Sequence, residues 1–571
     1  VRLHQVGLDI TAVSVDGAPA EGWRLGDGHV DIPVAAGKGH EVAVTYRATP
    51  ETGLHVRRPE GSADRVLEAW TQGEEEDSRY WFPTWDNPND RFTLSQQLTV
   101  PEGLVAVGNG VREGQEPTGD GWTRWSYRLD HEVVSYLVMA AVGDYRLYDD
   151  DGARVPMEYV APTWMSEATA RDTLGHATAQ LAWFDALLGT PYPYPVYRQT
   201  LVGRFLYGAM ENTSSTTVGD HLAQDRDDGD SRATEKVIAH ELAHQWFGDM
   251  LTCYGWRELW LNEGFATYYA WRWQEHARGR DYGAVRHRHY YRAALNDPAP
   301  MAARAWSKRT GRDNNAVYVR GMAVLRMLEV HLGRPAFDAG IRHYVAEHAD
   351  RLVETEDLRR ALEDTTGTHL GWLFDQWVTG EVTPRFTTRH RWVEARDDTP
   401  GHLEVTIEQT TAGAAYTAPV RIEVGQAAGS VHRTTWVGEG TTTVQIDLAA
   451  PPRFVMVDPQ GGVLAHWTRE QGAEGWVDAA LHSEHSFARL EALAALGERA
   501  PVPRVVEALQ EVVRSDADGS FRAEAARSLG KLGTEQAAGV LEACARDADR
   551  VLAEACLLAL GGAPTTSERS R

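Results

Sequence analysis

Two histidines four residues apart, with a glutamate directly after the first, make His240-Glu241-Leu242-Ala243-His244 the stretch around which this sequence is organised. On a helix, residues i and i+4 stand one turn apart on the same face. Both imidazoles can then reach one ion, with Glu241 beside the position left open. Glu263, 19 residues after His244 in Leu259-Trp260-Leu261-Asn262-Glu263-Gly264, offers a third ligand from a second helix. Two imidazoles, one carboxylate and an open fourth position form the donor set of a catalytic zinc, whereas structural zinc sites close all four. The spacing therefore predicts one zinc ion per chain. Ile238, Leu242 and Trp246 fall on the opposite helical face and provide the apolar stripe that buries such a helix.

Composition bounds what else the chain does. A length of 571 residues predicts about three to five domains with ample core. A formal net charge of −25 argues against nucleic acid or an anionic membrane surface as the main partner. Cys253, Cys544 and Cys556 are odd in number and lack Cys-x-x-Cys spacing, so neither a disulfide framework nor a thiolate zinc site is expected. That points to a reducing, cytoplasmic compartment. No apolar run approaches a membrane span, and Val1-Arg2-Leu3-His4-Gln5 has no signal-peptide layout. The missing initial methionine is compatible with a fragment or a processed product, including one whose secretion signal has been removed. Lysine occurs only at Lys38, Lys236, Lys308 and Lys531, so arginine where lysine would serve needs no functional explanation.

Residues 1–150 read as a β-domain, with strands expected at Val6–Val15, His40–Thr49, Phe92–Val100, Trp122–Arg128 and Val133–Val142. Within it, the acidic run after Thr71-Gln72-Gly73, Glu74-Glu75-Glu76-Asp77, reads on composition alone as a solvated loop. Residues 151–384 turn helical. A helix is expected over Ala168–Leu188, ending at Gly189, followed by a proline-rich extended segment and a strand at Gln199–Val202. That strand leads into Leu206-Tyr207-Gly208-Ala209-Met210-Glu211-Asn212. A polar loop, 220–230, then delivers the chain to the metal-site helix, with Asp230 or Ser231 as cap. Residues 385–468 alternate as a small β-sandwich, with strands at His402–Glu408, Val420–Val424 and Thr441–Leu448. Residues 469–571 are helical and self-similar. Repeats beginning at 487, 521 and 551 predict stacked helix pairs of the HEAT kind, with Thr565–Arg571 as a loose tail.

Over about residues 1–465 the chain resembles the zinc aminopeptidase family of aminopeptidase N, gluzincin exopeptidases that include the leukotriene hydrolase branch. The resemblance rests on Gly208-Ala209-Met210-Glu211-Asn212, on His240 to His244 with Glu263, and on Tyr318-Val319-Arg320-Gly321. It implies a multidomain α+β fold: a β-saddle N-terminal domain, a thermolysin-like and mainly helical catalytic domain, a β-sandwich and a HEAT-like repeat domain. It also implies that His240, His244 and Glu263 ligate zinc, that Glu241 is the general base and that Tyr318 stabilises the transition state. Glu211, helped by Gln72 and Glu74, would hold the α-amine of a peptide with a free N-terminus. Gly208, Ala209, Met210 and Asn212 belong to the same substrate element.

Three departures from the family stand out. Arg320 replaces the usual lysine, and Ala270 stands where members often carry an acid, which leaves Glu258 as the candidate to support the zinc ligands. Family members also have strands before the point matching Val1. The motif chemistry alone is shared by metallo-endopeptidases, by epoxide hydrolases of the leukotriene branch and by inactive scaffolds that bind through their repeats. The Gly-Ala-Met-Glu-Asn element and the complete set of catalytic residue types favour an exopeptidase.

Overall fold

The alternation of residues 1–150 becomes paired strands in the computed structural model, which describes the chain apart from residues 59–66, 225–230, 298–300, 302–314, 396–399, 414, 517 and 562–571. Asp9–Val15 pairs antiparallel with Val42–Arg47, and Phe92–Pro101 with Trp122–Val133. The inward positions of the latter pair bury Val100, Trp125, Tyr127 and Leu129. Val133–Val142 is not one strand. A 3-10 turn occupies Ser135–Leu137, and Ala140–Gly143 restarts in another sheet, between Val105–Gly108 and Glu68–Thr71. The buried Asn109 side chain causes the break: it donates to the Leu137 carbonyl at 3.0 Å and accepts from the Met139 amide at 2.8 Å, replacing a strand partner.

A five-stranded sheet carries the site. Its order is Tyr145–Asp150, Met157–Pro162, Tyr197–Val202, Ser215–Gly219, Ala209–Met210. The three central strands are parallel and buried along their whole length, as strands covered on both faces must be. Ala209–Met210 is an edge. The helix expected over Ala168–Leu188 is two helices, Glu167–Leu174 and His176–Leu188, because Gly175 interrupts the period. Gly189 ends the second in the left-handed region at φ 69°, as expected. Asp230, an expected cap of the metal-site helix, lies outside the described residues, as does the side chain of the alternative cap, Ser231.

The chain forms two compact units, one mainly from residues 1–270 and 338–365, the other mainly from 271–337 and 366–561. In the second, a four-stranded sheet (Arg385–Val393, His402–Gln409, Thr441–Asp447, His466–Arg469) and a three-stranded sheet (Ala418–Gln426, Gly429–Val437, Phe454–Val457) make up the β-sandwich region. Three helix pairs follow: Ala473–His482 with Ser486–Gly497, Pro503–Ser515 with Gly519–Leu532, and Glu535–Cys544 with Arg550–Ala559. Asp518, Thr534 and Asp549 cap three of these helices through their side chains. The pairs share one core of Leu490, Leu493, Leu509, Phe521, Leu529 and Leu552. The tail expected at Thr565–Arg571 lies outside the described residues.

The cysteine reading is corrected here. Cys544 and Cys556 are joined by a disulfide, with Cα atoms 6.0 Å apart, and only Cys253 is a free thiol. The two sit on consecutive helices that fold back on one another, a proximity that a separation of 12 residues does not reveal. The cysteine argument for a reducing compartment falls with it. Among the described residues no helix is long and apolar enough to cross a membrane.

Within the five-stranded sheet, Glu158 and Arg198 stand side by side on neighbouring parallel strands and pair at 2.5 Å, both nearly fully buried. Arg198 also donates to the carbonyls of Gly108 and Gly110, tying the N-terminal strands to this sheet. Removing Arg198 leaves the buried Glu158 with only Arg112, more exposed and 3.4 Å away, so Arg198→Leu should destabilise by up to about 3–5 kcal/mol in urea denaturation. A double replacement, Glu158→Leu with Arg198→Leu, should recover part of that loss.

Candidate active site

The helix Ser231–His244 buries Ile238 and Leu242, and Trp246 just beyond its end, with 0% exposure, which fixes its other face toward the reaction centre. There His240 Nε2, His244 Nε2 and Glu263 Oε2 form a triangle with edges of 3.1, 3.2 and 3.4 Å. A tetrahedral ion with ligand bonds of about 2.0–2.1 Å has ligand–ligand edges of about 3.3 Å. The donor set and its spacing thus fit a tetrahedral divalent ion such as zinc, and this is the one such group among the described residues.

Neighbouring groups set the triangle. His244 Nδ1 lies 3.0 Å from the Phe247 carbonyl; donation there leaves Nε2 with its lone pair toward the ion. Gly248 makes that turn at φ 135°, and a Cβ on it would lie 3.1 Å from His244 Nδ1. Glu263 stands on the helix Trp260–Arg278, two residues before Phe265, whose ring stacks on Phe247 at 4.4 Å. That aromatic pair locks the two ligand-bearing helices together.

Burial and mutual charge dominate the electrostatics. Burial holds the His240 imidazole down at about 4, against the pull of Glu263, so it is neutral and ready to ligate. Burial acts on Glu263 too, but His244 and His240 outweigh it and hold this carboxyl below its ordinary range. Glu241 is raised well above the usual carboxylate range by burial, with His244 opposing and Glu211 and Glu263 adding to the rise. It is 5% exposed, and among the described residues its side chain has no hydrogen-bond partner.

Glu211 and Glu74, the residues expected to hold an amine, lie near the same histidine. Glu211 Oε1 lies 3.9 Å from His244 Nδ1. Glu74 is raised well above its usual range by burial and then by the charge of Glu211, and each has a buried carboxylate oxygen without a hydrogen bond. The acidic run is therefore not simply a solvated loop at Glu74. Gln72 donates to Met210 Sδ at 3.1 Å, joining the two elements that the sequence placed far apart. Ala209 and Met210 pair with Val218 and Thr217 along one side only. Asn212 points inward, accepting from the Thr217 hydroxyl at 2.9 Å, and Gly208 accepts from the Gly219 amide.

Tyr318 lies near the start of the helix Asn315–Leu332, in the second unit, partly buried. Arg320 on that helix is fully buried and donates to the Trp377 carbonyl and the Thr383 hydroxyl, so it serves its own packing. Glu258 is not a support for the metal ligands: it accepts from the Thr355 amide and hydroxyl. Two positioning groups carried no recognisable signal in the sequence. Gln245 donates to the Glu211 carbonyl at 2.8 Å and accepts from the Ser214 amide at 2.8 Å, fixing the amine-anchor strand against the metal-site helix. Asn262 donates to the Tyr136 hydroxyl beside Glu263.

Two ligand-bearing helices packed by stacked aromatics beside an edge strand define an H-E-x-x-H metal-site protein with a third ligand from the second helix. Comparison with known proteins narrows this. The family model for the peptidase family M1 domain matches residues 173–377, that for the peptidase M1 N-terminal domain 30–137, and that for HEAT repeats 473–561. Aminopeptidase N of Acetobacter pasteurianus is 31% identical over 286 residues, covering 47% of this chain and 79% of that protein. Aminopeptidase N of Streptomyces lividans is 29% identical, covering 58% of this chain and 40% of that protein. Legionella pneumophila aminopeptidase A, solved with aspartic acid, aligns with 98% of this chain and 67% of its own at a TM-score of 0.79 and 16% identity, a likeness of fold. The chain belongs to the peptidase M1 family. It spans only about 35–40% of the length of the first curated relatives it matches.

His244→Ala should abolish stoichiometric zinc binding, measured by metal analysis after dialysis, because one triangle corner is lost. Glu241→Gln should keep the metal, since its carboxylate is not part of the triangle.

Proposed function

We propose that this chain is a zinc-dependent aminopeptidase that binds one zinc ion and hydrolyses the first peptide bond of substrates with a free N-terminus. The observation that carries the reading is the pair of buried, unsatisfied carboxylates, Glu74 and Glu211, grouped with the metal triangle at the edge strand Ala209–Met210. Burial raises both carboxyls, and the charge of Glu211 raises Glu74 further; such a pair favours a cation, and a peptide's ammonium group supplies it with charge-assisted hydrogen bonds.

Held by His240, His244 and Glu263, zinc would act as a Lewis acid toward water and the scissile carbonyl. Glu241 takes a proton from the attacking water as oxygen bonds to the carbonyl carbon, and later passes that proton to the leaving amine as the C–N bond breaks. Its free, raised carboxyl suits both acts. The Tyr318 hydroxyl, in the role carried by the family resemblance, donates to the oxyanion. The edge strand offers its unpaired side to the substrate backbone. A Cβ on Gly208 would meet only the Val237 methyls at 3.8 and 3.9 Å, so the protein's own packing does not require glycine there, and its smallness serves an approaching peptide.

We assign the chain four segments: an N-terminal β-domain (1–150), the catalytic domain (151–384), a β-sandwich (385–468) and the repeat domain (469–571). A cytoplasmic location stays part of this proposal without the cysteine argument, which no longer stands.

Acetylating the substrate amine removes its charge and leaves Glu74 and Glu211 desolvated without a cation. N-acetylated aminoacyl amides should be inert where the free amines are cleaved, and Glu211→Ala should narrow that gap while zinc content stays the same. Efficient cleavage of an acetylated peptide at an internal bond would end the aminopeptidase reading and leave the metal site intact. Tyr318→Phe should lower kcat by roughly 10²–10³ with KM little changed, the pattern of a donor acting only as charge develops. A change in KM alone would make Tyr318 a binding residue.

A further inference from the structure

A peptide anchored by its amine at Glu211 extends toward Gly208, because Asn212 to Ser215 beyond the anchor are fully buried. Past Gly208 the strand's own predecessors are Tyr207 and Leu206, 58% and 59% exposed. Leu206 lines a cavity of about 480 Å³ together with Leu54, Arg57, Arg58, Trp70 and Arg204. Most of its wall comes from residues 48–58, and the two other segments that complete it lead directly toward the expected amine anchor: Glu68–Thr71 runs into Gln72 and Glu74, and 203–206 runs on to Gly208. The two are fastened together. Trp70 Nε1 donates to the Gly203 carbonyl at 3.2 Å, and its ring meets Phe205 edge-on at 5.0 Å. A Cβ on Gly203 would lie 2.3 Å from an Arg57 guanidinium nitrogen and 2.8 Å from Glu68, so a larger residue there would displace this ion pair.

The cavity's charge is opposite to that of the chain. Among the described residues three arginines line it against one acid, Glu51, in a protein of net charge −25. Arg57 is engaged by the buried Glu68 at 3.3 Å. Arg204 is exposed, holds a left-handed backbone at φ 57°, and among the described residues has no ion pair. Arg204 thus stands at a backbone position that favours glycine, with its side chain beside the cavity. We infer that this cavity is a downstream subsite for a carboxylate of the peptide substrate, an acidic side chain or the free C-terminus, with Arg204 as its principal contact. The inference rests on the aminopeptidase reading above. Leu206 and Arg204 stand five and seven residues before Glu211 along a segment that is turn rather than strand from Gly203 to Gly208, so an extended peptide beside it brings about its fourth to sixth residue to the cavity.

The test compares amidated hexapeptides of alanine after a common first residue, with one glutamate moved through positions three to six, against the neutral amidated peptide and the same peptide with a free C-terminus. A single aminoacyl fluorogenic amide, too short to reach the cavity, reports the reaction centre. The wild type should favour glutamate at positions four to six, or the free C-terminus, by about two- to five-fold in kcat/KM, mainly through KM, as fits a partly exposed ion pair. The two arms separate side chain from terminus as the source. The preference should fade at high salt, vanish in Arg204→Gln, return in Arg204→Lys and reverse in Arg204→Glu. Equal rates for all peptides in the wild type, or a preference that survives in Arg204→Gln, would overturn the inference while the amide is still cleaved. No cleavage of the amide would remove the aminopeptidase reading and this inference together.

Discussion

Four glutamates, Glu74, Glu211, Glu241 and Glu263, are gathered in the interior around one histidine, and their mutual repulsion is the constraint on which the rest of the site depends. Burial pushes Glu74, Glu211 and Glu241 toward protonation, and only Glu263, held by two imidazoles, stays firmly ionised. Such a cluster is tolerable when cations enter it. The geometry provides one place for positive charge, the triangle of nitrogen and oxygen donors, and under the proposed function a substrate ammonium group held by Glu74 and Glu211 would supply a second. On that reading catalytic competence and relief of electrostatic strain are the same event, because both cations neutralise what folding has forced together.

The scaffold is arranged to withstand that strain. Fully buried parallel strands, the Phe247–Phe265 stack and the Gln245 amide hold the carboxylates where they repel. Each is a rigid contact between segments distant in sequence. The Arg198–Glu158 pair does the same one layer away, joining the sheet to carbonyls of the N-terminal strands.

Much of this was legible in the residues. The four-residue spacing of His240 and His244 dictates a shared helical face, and the apolar stripe of Ile238, Leu242 and Trp246 dictates which face is buried; both are local facts of helix geometry. The repeats at 487, 521 and 551 were readable because a stacked array writes its period into the chain. What stayed hidden was set by contacts across long separations. Asn109 breaks an expected strand from some 30 residues away, and Gln245 steadies Glu211 through an amide that no motif marks. Glu258 looked like a metal-site acid from its place in the chain, yet Thr355 claims it. Composition misjudged the cysteines for the same reason, since pairing depends on how helices fold back.

The disulfide between Cys544 and Cys556 lies in the third helix pair of the repeat array. In a solenoid each repeat contacts only its neighbours, so a single helix held by few contacts can leave its pair before the array opens. A covalent link between Glu535–Cys544 and Arg550–Ala559 prevents either helix from peeling away alone. The two must detach as a hairpin or not at all, which turns gradual unravelling into a single cooperative step.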